Sequence, residues 1–146
     1  QVIQKEVEKG KEIYQALSVG QTVSTGSVVA HINNQLPILQ LQILGQNWLL
    51  VGELETSQLA QLLKTGGLPR TQVLWCPGQS LKELIPALQP QVAIATSTKI
   101  DQKMLSELTL SQTKLFFTGR DGAVQWTPNR QFETFIQATE NKTSIF

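Results

Sequence analysis

Cysteine and histidine are nearly missing from these 146 residues: there is one of each, Cys76 and His31. A lone cysteine cannot close an intrachain disulfide or build a cysteine zinc cluster, so Cys76 reads as an ordinary half-buried thiol. A lone histidine has no second one to share a metal with, and a zinc site takes three or four nitrogen, oxygen or sulfur ligands. His31 therefore reads as an ordinary strand histidine. Aspartate is almost as rare, Asp101 and Asp121 alone, which gives poor support to a paired-carboxylate site. An excess of one charge is lacking too. The 12 basic residues face 11 acidic ones, and no basic stripe of the nucleic-acid-binding kind is announced. No run of about 18 apolar residues marks a membrane span, and no basic segment ahead of an apolar stretch marks a signal peptide. A start at Gln1 rather than Met is what a processed product or an excised piece of a longer protein would show.

What is present is 40% hydrophobic residues, enough for one continuous core, and the expectation is a single domain over residues 1–146. Residues 2–17 place Val2, Ile3, Val7, Ile13, Tyr14 and Leu17 at helical spacing, with Lys and Glu between, and predict an amphipathic helix weakened at Gly10. A Gly/Ser/Thr-rich loop follows, with a short strand at residues 21–24. "SVVAHIN" and "LPILQLQILG" then alternate as a hairpin. A turn at Gly45-Gln46 leads into "NWLLVGEL", whose continuous apolar run reads as a strand buried on both faces.

Helix and strand alternate from there. "TSQLAQLLKTGG" has Thr56 or Ser57 as N-cap and Gly66-Gly67 as its stop. "TQVLWCP" is a buried strand, "SLKELIPAL" a short helix capped by Ser80, "QVAIATS" a second buried strand, and "DQKMLSEL" a helix capped by Asp101. Asp121-Gly122 predicts a type I′ hairpin joining "TKLFFTG" to "AVQWT". A last strand has Phe132, Thr134, Ile136 and Ala138 on one side. The fold class expected from this order is α+β, a mixed sheet flanked by helices.

Few residues offer chemistry. Glu53 ends the strand "NWLLVGE", with Glu55 two positions on. A carboxylate held at the carboxyl end of a core strand suits metal or acid–base work, and it is also simply where strands surface. Ser80 has no Gly-x-Ser-x-Gly setting and no His-Asp pair, so capping is its better account. The Gly-rich stretches "GQTVSTG" and "TGGLPR" fit neither phosphate-loop nor dinucleotide spacing and read as turns. Arg70, Arg120 and Arg130, with Trp75 and Trp126, are the residues from which a stacking and phosphate-contacting surface for single-stranded nucleic acid would be made. In the loop "VLWCPGQS", Pro77-Gly78 is expected to turn, Ser80 to cap, and Trp75 and Cys76 to pack.

The succession "LLVGE", helix, "VLWCPGQS", helix, "PQVAIATS", and the tail "LFFTGRDGAVQW", resembles the second half of the metallo-β-lactamase-like fold. More narrowly, it resembles the C-terminal soluble domain of the ComEC family of DNA-uptake competence proteins over about residues 10–127. The family shows "LLTGD", "PHHGS" and "P-x-x-AIIS" in the same order. The resemblance implies an αββα sandwich of which this chain holds the later half, in a bacterial transformation protein attached to the inner membrane. It implies single-stranded DNA and the membrane-channel part of the same polypeptide as partners. Family relatives use divalent metal, zinc or manganese. Here Glu53 stands for the ligand Asp, and Pro77, Gly78, Gln79 and Ser80 stand where the family has "PHHGS", so the metal site is expected to be vestigial, with no cofactor and a non-catalytic role. The alternatives are a metal-dependent nuclease or phosphodiesterase completed by residues outside this chain, and a generic protein-interaction module.

Overall fold

A computed structural model describes residues 18, 20–33, 36–97, 101–108, 111–127, 129 and 131–134. The helix expected over residues 2–17, the strand positions Ile136 and Ala138, and Arg130 lie outside the described residues. The fold is α+β, as expected. Strands β1 (Thr22–Thr25), β2 (Val28–Ile32), β3 (Ile38–Ile43) and β4 (Gln46–Val51) form an antiparallel meander. Three helix-and-strand units follow: α1 (Thr56–Lys64) with β5 (Val73–Pro77), α2 (Leu81–Leu88) with β6 (Val92–Thr96), and α3 (Gln102–Leu108) with β7 (Lys114–Phe117). All seven strands lie in one sheet in their order along the chain, with β4 to β7 parallel. A short helix α4 (Thr118–Asp121) then leads to the separate hairpin of β8 (Val124–Trp126) and β9 (Phe132–Thr134).

Winding a sheet steadily in one direction with crossovers of one hand puts every crossover helix on the same face. The core accordingly joins Leu59 and Leu62 of α1, Leu81, Leu84 and Ile85 of α2 and Leu108 of α3 to the strand residues Leu49, Val51, Leu74, Cys76, Ala93, Ala95 and Phe117. Leu49, Leu74 and Ala93 stand side by side in register under the helices and are fully buried. Burial of each leucine contributes about 1.5–3 kcal/mol.

Residues one position out of phase point to the other face. There the register aligns Ile32, Leu39, Leu50, Trp75, Ile94 and Phe116 in one row across six strands. The β8–β9 hairpin covers one end of this face. Trp126 meets Trp48 edge-on with ring centroids 5.3 Å apart, and Phe132 lies 5.5 Å from Trp48 and 6.3 Å from Phe116. Among the described residues the buried indole N–H groups of Trp48 and Trp126 have no acceptor, so this aromatic cover is less complete than the helical one.

Several boundaries differ from the sequence expectation. The predicted Asp121-Gly122 hairpin between β7 and β8 does not form. Asp121 ends α4, its carboxylate accepts the backbone N–H of Phe117 at 2.8 Å, and β8 pairs with β9 instead. The N-cap of α1 is Glu55, not Thr56 or Ser57, and its N–H donates to Gln58 Oε1 at 2.9 Å. The turn between β3 and β4 is Leu44-Gly45, one residue earlier than expected, with φ of 49° and 80°. Two positive φ values make a two-residue hairpin turn of the type I′ kind, matching the right-handed twist of its strands. Leucine is a poor occupant there, since its Cβ crowds the left-handed conformation and its side chain is 45% exposed. Leu44→Asn is expected to raise stability by about 0.5–1 kcal/mol, read as a higher urea midpoint at unchanged slope, whereas Leu44→Val should lower it.

Candidate site at the carboxyl ends of the parallel strands

β4, β5 and β6 are parallel, so their carboxyl ends meet at one rim of the sheet, where α/β folds place ligand pockets. A cavity of about 550 Å³ opens there, between that rim and the loop of residues 36–38. Its walls include Ile32, Leu39 and Leu50 from the row opposite the helices, together with Trp75, Pro77, Thr96, Gly52 and Glu53.

Glu53 reaches the cavity because the chain leaves β4 through Gly52. The Gly52 N–H donates to the Pro37 carbonyl at 2.7 Å, and a Cβ on Gly52 would stand 3.0 Å from the Pro37 Cβ. This close crossing fixes the strand end against the loop and turns the exposed Glu53 to the cavity rim. Glu55 stays outside the cavity, at the N-terminus of α1.

The loop after β5 is compact. Pro77 ends the strand and Gly78–Ser80 forms a single 3-10 turn running straight into α2. Gly78 is buried, and a Cβ there would lie 2.7 Å from the Ser97 Cβ, nearer than real contacts allow. Ser80 occupies the N-cap position of α2, but its backbone is already helical and its hydroxyl makes no cap bond. The capping role expected for Ser80 is thus not observed, because the 3-10 turn ahead of it removes the extended geometry a serine cap needs. Gln79 is exposed beside it.

Cys76 packs as expected. Its side chain is in the helix-covered core, and burial pushes the thiol up to about 12, which leaves it protonated and unreactive at neutral pH. Trp75 does not pack as expected. It is 44% exposed, because the strand read as buried on both faces is covered on its outer side only at Val73. The signal missed was register. Trp75 falls between Leu50 and Ile94, one step beyond the aromatic hairpin, and no single-strand pattern reveals how far a distant hairpin reaches.

The remaining candidates are not brought to this cavity. His31 lies on the opposite side of β2, with Nδ1 2.8 Å from the Thr22 hydroxyl. Arg70 is exposed, at the end of the sheet where β5 begins. Arg120 lies nearer. Helix α4 joins the end of β6 through the Gly119 N–H bond to the Ser97 carbonyl at 2.9 Å. Yet the Arg120 guanidinium is spent on Asp121, with Nη2 2.7 Å from Oδ2, and it lies 5.2 Å from the Phe117 ring centroid. Asp101 caps α3 as expected, accepting the Lys103 N–H at 2.9 Å.

Among the described residues no three His, Cys, Asp or Glu side chains stand close enough to hold a metal ion. The cavity offers one carboxylate, and a two-metal hydrolytic centre needs several nitrogen and oxygen donors converging on ions about 3.5–4 Å apart. The residues present do not fit such a centre. No helix among the described residues is long and apolar enough to cross a membrane. Comparison with protein families, with curated proteins and with solved structures finds no match to this chain.

Two outcomes follow from this geometry. Gly78→Ala should destabilise by about 1–3 kcal/mol, and Gly78→Ala with Ser97→Gly should cost clearly less than the sum of the single changes in a denaturation double-mutant cycle. The bond from Arg120, aided by the Phe117 N–H and the nearby positive charge, holds the Asp121 carboxyl below its ordinary value of 3.8. A lowered folded value stabilises above the unfolded value and is lost as pH falls through the folded one. Asp121→Asn should therefore be less stable than the parent at pH 6, with the gap closing as pH drops below about 3.8, measured by urea unfolding across that range.

Proposed function

We propose that this chain is a non-catalytic domain of a bacterial DNA-internalisation protein, the later half of a metallo-β-lactamase-like αββα sandwich that has lost its metal site. The observation that carries this reading is the inequality of the two sheet faces. Helices cover one side, while among the described residues no helix packs on the row Ile32, Leu39, Leu50, Trp75 and Ile94 of the other. A sandwich of two sheets buries its second sheet against such a face. The β5–α2 loop, where relatives of that kind place metal-binding histidines, carries Pro77, Gly78, Gln79 and Ser80, and Glu53 is left as a single donor.

On this reading the domain acts by holding a partner or a DNA strand, and it is attached to the inner membrane through the rest of its polypeptide. The membrane attachment and the DNA rest on the resemblance of "LLVGE", "VLWCPGQS", "PQVAIATS" and "LFFTGRDGAVQW". The absence of a converging donor set favours holding over hydrolysis.

The test has two arms on the whole chain with a labelled single-stranded oligonucleotide. Fluorescence anisotropy should show weak binding that falls as salt rises. Arg130→Ala should lower the salt slope by about one, the share of a single phosphate contact, whereas Arg120→Ala changes it less because its charge is already paired. No salt-sensitive binding would overturn the DNA part. Cleavage of the oligonucleotide that requires manganese or zinc and disappears in Glu53→Ala would overturn the non-catalytic part.

A further inference from the structure

We propose that the cavity at the carboxyl ends of β4, β5 and β6 is a binding site for a small organic cation with an apolar body, an alkylammonium. This inference goes beyond the non-catalytic reading and does not rest on it. The cavity volume, about 550 Å³, falls in the range of pockets that take small ligands, and its walls are mostly apolar. Two features set it apart from an unclaimed hollow in a sheet.

The first is Trp75, a large aromatic side chain at the centre of a seven-stranded sheet that is nevertheless 44% exposed. It sits in register between Leu50 and Ile94, so the indole is held by its neighbours while part of its surface stays open. An open indole attracts cations through its ring quadrupole, more strongly than a phenol or phenyl ring does. The second feature is Glu53. Among the described residues it is the one charged residue lining the cavity, and its carboxylate has no ion pair. The Gly52–Pro37 crossing fixes the backbone beside it, so the negative charge stands at a set place on the rim.

An apolar body lies against Ile32, Leu39 and Leu50, and an ammonium group at its end meets both the carboxylate and the indole. The same arrangement repels anions. A phosphate or sulfonate would have to approach an uncompensated carboxylate, and the nearest described arginine, Arg120, is already bound to Asp121. Charge complementarity therefore selects the sign of the ligand, and the apolar walls select its body.

The experiment uses two probes with the same eight-carbon chain, octyltrimethylammonium and octylsulfonate, titrated below their micelle concentrations into the whole chain. Binding is followed by calorimetry and by the blue shift of tryptophan emission as the open indole is covered. The ammonium should bind saturably and the sulfonate should not. Glu53→Gln should weaken the ammonium about fivefold, and Trp75→Leu, which keeps the apolar wall, by a similar factor, about the contribution of one exposed charge contact. Trp75→Leu should also abolish the emission shift. Glu53 is exposed, so its Gln variant keeps the fold, and circular dichroism of both variants checks this. Equal affinity for both probes, no binding of either, or an ammonium affinity unchanged in Glu53→Gln would each overturn the proposal.

Discussion

The packing of three helices against one side of a sheet wound in chain order is the interaction from which the rest follows. Leu49, Leu74 and Ala93 lie in register at the sheet centre and are sealed by leucines from α1 and α2. Ala93 and Ala95 of β6 are buried in the same core as the helix leucines. Close packing of this kind tolerates few changes of volume. It also settles what the other face can be. The three crossover helices all lie on the first side, so among the described residues the second side is covered by the short β8–β9 hairpin at one end.

Position and chemistry separate at the other end. The ends of β4, β5 and β6, the Gly52–Pro37 crossing and the approach of Gly78 to Ser97 make a defined cavity of the kind in which α/β proteins carry out reactions. The side chains delivered to it are a single carboxylate, an open indole and aliphatic walls. Among the described residues lining it, no nucleophile, base and electrophile stand together. The buried thiol is turned into the core, and the one histidine lies on the other side of the sheet edge.

Much of the fold was legible because it obeys local rules. The alternation of Leu39, Leu41 and Ile43 against Gln40 and Gln42 marked a strand with two unlike sides, and the register puts Gln40 beside Leu49 on the helix-bearing face and Leu39 beside Leu50 on the other. Asp101 announced α3 through its cap. The misreadings arose where the outcome depends on distant neighbours. Asp121-Gly122 has the composition of a tight turn, yet Asp121 is drawn to the Phe117 N–H and to Arg120, which winds the segment into α4. "VLWC" looks buried on both sides, yet on its outer side Val73, beside the hairpin-covered Trp48, is buried while Trp75 is open. The carboxylate at residue 53 was visible in the sequence as a strand-end acid. That it shares a cavity with an exposed tryptophan was not, since that depends on the register of β4 against β5.

The proposal that bears most on function is that this rim keeps the place of a hydrolytic centre without the means to hold metal. Calorimetric titration of the whole chain with zinc and with manganese tests this most directly. The account predicts no saturable binding heat for either ion. Uptake of one or two ions per chain, lost in Glu53→Gln, would contradict it.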